Sequence, residues 1–93
     1  MSTGQKSTSR IVVLISGNGS NLQSLIDACL NNKIKAQITA VISNKPNVKG
    51  VDRATAANIP ALIIDHRDFS SRQEFDLHLL EVIKSFSPDL VVL

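Results

Sequence analysis

The stretch IVVLISGNGSNL, Ile11 to Leu22, decides how this chain folds. Its first five residues, Ile11 to Ile15, form an unbroken apolar run. A run without alternation suits a central parallel strand covered on both faces. Gly17 and Gly19, set among Ser16, Asn18, Ser20 and Asn21, end that run. Beyond them Leu22, Leu25, Ile26 and Cys29 fall at i, i+3, i+4 and i+7, the spacing of one helical stripe. A strand that turns through glycines directly into a helix is the opening unit of an α/β fold.

The same alternation continues downstream. Asn31 and Asn32 close the first helix, and the β-branched segment Ile38 to Ser43 reads as a second strand. Asn44 to Val48, with Pro46 inside, is a loop; Val51 to Ala57 is a second helix that Asn58 can stop. Ile59 to Ile64 is a third strand, with Pro60 tolerated only at its start, where no ladder N–H is required. Asp65 to Ser70 is a polar loop, after which Ser70 with Gln73 and Ser71 with Glu74 both have capping-box spacing. Phe75, Leu79, Val82, Ile83 and Phe86 mark the buried stripe of a third helix, ended by Ser87-Pro88-Asp89. Leu90 to Leu93 is a fourth strand. The order βαβαβαβ predicts an α/β protein of three layers, a Rossmann-like open parallel sheet with helices on its faces and right-handed crossovers.

At 93 residues the chain makes one domain at most. Residues 10–93 are expected to be the front part of a larger domain, interrupted in its fourth strand, because a fully apolar strand end is a poor terminus. Met1 to Ser9 is polar and reads as a flexible leader without chemistry. The formal charge is only +2, and Lys33, Lys35, Lys45, Lys49, Arg53, Arg67, Arg72 and Lys84 are scattered, mostly as solvated surface. With three Phe and no Tyr or Trp, there is neither a basic patch nor a stacking platform for nucleic acid. The single cysteine, Cys29, excludes an internal disulfide and sits among apolar residues as a small hydrophobe, which fits a reducing, cytoplasmic location. No segment approaches the roughly 18 apolar residues of a membrane span.

Ligands of open α/β sheets bind beyond the carboxyl ends of the strands, which is where Ser16 to Asn21 lies. The glycines let the backbone approach a ligand closely, and N–H groups at the helix start can point at an anion that the helix dipole also favours. Ser20 and Asn21 add donors suited to phosphate oxygens, and the set specifies one phosphate better than a diphosphate. Leu22 stands where a dinucleotide fingerprint needs its third glycine, and no acid follows near Ser43 and Asn44 to hold a ribose. A Walker loop is absent because no Gly-Lys-Ser/Thr closes the turn. NAD and ATP are disfavoured. A bare tight turn capped by Ser20 or Asn21 is the other reading of the same residues.

The segment Arg10 to Asn21, RIVVLISGNGSN, followed by Leu22-Gln23 and an Asp27-Ala28-Cys29 helix end, resembles the start of the phosphoribosylglycinamide formyltransferase family. Asn31 to Lys35, Ser43-Asn44-Lys45, the segment FSSR at Phe69 to Arg72, and PDLVVL at Pro88 to Leu93 continue the resemblance in order. It implies transfer of a formyl group from 10-formyltetrahydrofolate to the primary amine of glycinamide ribonucleotide in purine synthesis. It also implies that Gly19, Ser20 and Asn21 hold the substrate phosphate. Arg72 would serve the reduced folate, its fork of donors suiting a carboxylate or phosphate. The family's catalytic asparagine, histidine and aspartate would all lie beyond Leu93, so the 93-residue stretch alone is expected to be inactive. A homodimer is open as an assembly.

His66 and His78 match no catalytic position in that resemblance and read as a loop cap or surface residues. Asp65, His66 and Asp68 cluster, but Arg67 among them opposes a cation, so no metal is assigned. Two other classes stay open on sequence alone: another folate-dependent formyl-handling enzyme, or a Rossmann-like binding module without catalysis.

Overall fold

The computed structural model describes residues 8–93. Within them strands and helices alternate as β1 (Ser9–Ile15), α1 (Ser20–Leu30), β2 (Ala36–Ser43), α2 (Lys49–Ala56), β3 (Ala61–Ile63), α3 (Arg72–Ser85) and β4 (Leu90–Val92), with a 3₁₀ turn at His66–Asp68. The strands lie in the order β3-β2-β1-β4, and every pairing is parallel. The expected open parallel α/β architecture is therefore the observed one. Most of the leader lies outside the described residues; Ser9, which the sequence reading placed in it, already pairs with Ala36 in the sheet.

The continuous apolar run of β1 is explained by what covers it. Ile11 and Val13 point to one face, where they pack with Leu22 and Ile26 of α1 and Ala54 of α2. Val12 points to the other, where it meets Ala40, Ile42 and Phe75 of α3. With both faces under helices, a central strand has no solvent side on which polar residues would belong. Phe75 heads the stripe read from the sequence, with Leu79, Val82, Ile83 and Phe86 packed behind it.

One irregularity shifts the sheet's register. Ile11 pairs with Ile38 but Val12 pairs with Ala40, leaving Thr39 as an extra residue in β2. Its hydroxyl donates to the Ile11 carbonyl at 3.2 Å. The bulge resets the alternation, so that Ile38 and Val41, three apart, reach the same core cluster.

Each helix ends on a residue in the left-handed region: Asn32 (φ 57°), Asn58 (φ 60°) and Ser87 (φ 47°). After α1, Lys33 N–H donates to Ala28 O and Asn32 N–H to Cys29 O; after α2, Ile59 N–H donates to Ala54 O and Asn58 N–H to Thr55 O. These are Schellman closures, which asparagine tolerates better than most side chains. After α3, Pro88 has no N–H to complete the motif, and Arg10 instead donates from Nη2 to the Phe86 carbonyl at 2.8 Å.

Several boundaries differ from the sequence reading; β1 begins at Ser9 and β4 ends at Val92. β2 begins earlier, at Ala36, because Ser9 and Arg10 extend β1 beside it. α2 begins at Lys49 rather than Val51, behind an extended Val48 that offers no side-chain cap. β3 is shorter than Ile59 to Ile64, although Pro60 O and Ile64 N–H still bond to β2 at either end of it. No helix among the described residues is long and apolar enough to cross a membrane.

Candidate functional site

The strand order places β1 between β2 and β4, and the covering helices change face between these two neighbours. Such a switch point opens a crevice at the strands' carboxyl ends. Ser16 to Asn21 lies in it, and a cavity of about 300 Å³ runs from Ile15 and Ser16 past Gly19 and Asn21 to Val92 and Leu93.

Gly19, with φ 76° and ψ 27°, is the residue before α1, and among the described residues no side chain caps the helix. The first helical bond is donated by Gln23 N–H to Gly19 O at 2.9 Å. The N–H groups of Ser20, Asn21 and Leu22 precede it and have no partner within a helix by construction. The alternative of a bare turn capped by Ser20 or Asn21 is not what the structure has: both residues are already helical, and neither side chain caps the helix. Three free donors at a positive helix end, beside the exposed Ser20 and Asn21 side chains, can receive a single compact anion.

The turn is seated on α2. Gly50 N–H donates to Gly17 O at 3.1 Å. A Cβ on Gly19 would stand 2.7 Å from the Gly50 Cα, and one on Gly50 would stand 3.1 Å from Gly17 O. Arg53, half-buried, donates from Nε to Asn18 O at 2.9 Å, from Nη2 to Asn18 Oδ1 at 3.2 Å and from Nη1 to Gln23 Oε1 at 3.3 Å. The reading of Arg53 as solvated surface is thereby corrected. Its role depends on α1 and α2 sharing a sheet face, which spacing along the chain does not reveal. Gly50 carried a signal: glycine in a first helical turn costs stability and marks a close approach.

Arg72 is not among the turn residues. It opens α3, its side chain is 84% exposed, and Nε donates to Asp76 Oδ1 at 3.4 Å. It borders a second cavity of about 360 Å³ on the α3 side of the sheet, walled by Leu14, Ile42, Ile64, Phe75 and Leu79. The two cavities meet at Leu14, Ile15, Ser16 and Leu93. Asn44 also borders the second one, and its Oδ1 is buried without a donor among the described residues. Apolar walls, one orphaned acceptor and an arginine at the rim fit a flat heteroaromatic group that carries N–H donors and a carboxylate tail. Asn44 was missed because an asparagine after a strand reads as an ordinary turn residue.

The loop after β3 is a closed ion pair. Arg67 donates from Nη2 to Asp65 Oδ2 at 2.7 Å and from Nε to both carboxylate oxygens, while Arg67 N–H reaches Asp65 Oδ1 at 2.9 Å. Hydrogen bonding to Arg67 lowers the Asp65 pKa to about 2. His66 is 3.9 Å from that carboxylate and sets its ring edge-on to Phe75; His78 lies against Phe69. Burial pushes the Cys29 thiol up, away from nucleophilic reactivity.

An open parallel sheet in the order 3-2-1-4, with a free glycine turn at its switch point, defines a doubly wound, Rossmann-like α/β protein. The family model described as formyl transferase matches residues 9–93. The chain belongs to the formyl transferase family. It is 51% identical over 83 residues to phosphoribosylglycinamide formyltransferase of Escherichia coli (strain K12), covering 89% of this chain and 39% of that protein. It is 47% identical over 89 residues to the trifunctional purine biosynthetic protein adenosine-3 of Homo sapiens, covering 96% of this chain and 9% of that one. Among solved structures, glycinamide ribonucleotide transformylase 1 from Symbiobacterium toebii superimposes with a TM-score of 0.89 at 37% identity, over 97% of this chain and 45% of the other. The chain thus spans less than half the length of these relatives.

Proposed function

We propose that the protein transfers a formyl group from 10-formyltetrahydrofolate to the primary amine of glycinamide ribonucleotide, a step of de novo purine biosynthesis. The observation that carries the reading is the uncapped start of α1, whose first residues Ser20, Asn21 and Leu22 line the switch-point crevice. Its similarity to bacterial phosphoribosylglycinamide formyltransferases supports the choice of substrate.

In this reading Gly19, Ser20 and Asn21 hold the monophosphate, which fixes one end of the substrate and orients its amine along the crevice. Arg72 and the buried Asn44 Oδ1 receive the reduced folate in the adjoining cavity, and Ser16 lies where the two ligands meet. The folate supplies the formyl carbon. A C–N bond forms from the amine to that carbon, the bond to the folate nitrogen breaks, and the proton lost by the amine ends on that nitrogen. Residues 8–93 contribute binding and orientation, and holding the two reactants in contact is a large part of the acceleration of such a transfer. None of these residues is assigned to proton transfer.

The same reading puts the protein in the cytoplasm, with no resident metal and a homodimer as the assembly to test. The deciding experiment is formyl transfer by the intact protein, followed as release of tetrahydrofolate on addition of glycinamide ribonucleotide. Turnover that requires both compounds supports the proposal; turnover indifferent to the ribonucleotide contradicts it.

A further inference from the structure

We infer that Arg53 is a positioning residue of the phosphate site, holding the glycine turn in the shape that lets its N–H groups converge on an anion. The inference rests on the phosphate reading of that turn.

Three consecutive residues of the turn are each fixed from α2. Gly17 O accepts from Gly50 N–H, Asn18 accepts from Arg53 through both its backbone and side-chain oxygens, and Gly19 lies against the Gly50 backbone. The Arg53 Cδ also lies 3.4 Å from where a Gly19 Cβ would be, so its stem covers the residue with the positive φ while its head holds the one before. A third bond, to Gln23 Oε1, ties the same guanidinium to the first turn of α1, and Gln23 Nε2 donates on to Asp27. The turn and the helix start, which must move together to keep three N–H groups aimed at one point, are thus joined through a single side chain.

All three donor nitrogens of Arg53 face protein acceptors, so it does not reach into the crevice itself. Its effect on a ligand passes through Asn18, which lines the cavity. A planar fork is suited to holding two oxygens of one residue at once; a lysine holds one. The cost of losing the fork falls on the affinity for phosphate and not on the chemical step.

The test compares wild type, R53M and R53K in the intact protein, with S20A and N21A as variants of the turn itself. R53M keeps the stem and removes the head. It is expected to raise KM for glycinamide ribonucleotide about tenfold, and to weaken inhibition by inorganic phosphate by the same factor. kcat and KM for the folate donor should stay within about twofold. R53K is expected to fall between R53M and wild type on both phosphate readouts. Wild-type KM and phosphate inhibition in R53M, while S20A and N21A lose both, overturn the positioning role and leave the phosphate site standing. Wild-type phosphate inhibition in all of these variants overturns the inference as well, and a wild type that inorganic phosphate does not inhibit removes the phosphate reading with it. If R53M does not fold, R53K decides, and a wild-type phosphate response from it overturns the inference.

Discussion

Gly19 and Gly50 touch backbone to backbone: a methyl carbon added to Gly19 would lie 2.7 Å from the Gly50 Cα. The contact joins the turn after β1 to the first turn of α2, and it exists because neither residue has a side chain. Gly19 is also held at φ 76°, where an L side chain is strained.

Gly19→Ala is therefore expected to destabilise the protein by more than the roughly 1–2 kcal/mol of left-handed strain alone, since the Gly50 backbone must also move. Gly17→Ala meets nothing within 4 Å and should leave stability unchanged. Urea unfolding midpoints of the two variants check the pair, and equal losses would refute the contact's importance.

The two cavities predict separable kinetics. Ser20→Ala and Asn21→Ala should raise KM for glycinamide ribonucleotide, each by roughly tenfold to a hundredfold for a lost hydrogen bond to a charged group, and leave the folate KM alone. Arg72→Gln should do the reverse. Steady-state kinetics with each substrate varied in turn measures this, and a change in the same KM for all three variants would contradict the assignment.

Ser71 caps α3, its Oγ accepting from Glu74 N–H at 3.1 Å. Ser71→Ala should cost about 1 kcal/mol of stability. Ser70, the other serine with capping-box spacing, instead donates to the Glu74 carboxylate. Ser70→Ala should cost less, and thermal unfolding of the two variants gives the comparison.

Asp65 has a pKa of about 2 when folded, against an ordinary value of 3.8. A lowered carboxylate stabilises the fold above its unfolded pKa and loses that contribution as pH falls through the folded one. The stability advantage of wild type over Asp65→Asn should be constant above about pH 3.8 and vanish toward about pH 2. Unfolding midpoints across that interval check the sign; an advantage that grows on acidification would contradict it.

The layered fold was legible because its signals are local. The apolar run Ile11 to Ile15, the stripe from Phe75 to Phe86 and the stops at Asn32, Asn58 and Pro88 each act through neighbouring residues. The bulge at Thr39 was not, since it depends on which residue of β1 lies opposite. The turn residues Gly19, Ser20 and Asn21 stood out by type and spacing. Arg53 and Gly50 did not, because their partners are some 30 positions away and meet them only once α1 and α2 share a face. Arg72 was named from resemblance, and the structure adds that it borders a different cavity from the turn.

The most direct test of the central claim is a titration of the ¹⁵N-labelled intact protein with glycinamide ribonucleotide, followed by the amide resonances of Gly17 to Gln23. The largest downfield proton shifts are expected on Ser20, Asn21 and Leu22, with inorganic phosphate reproducing them. Shifts that leave these three amides unmoved while others respond would contradict the claim.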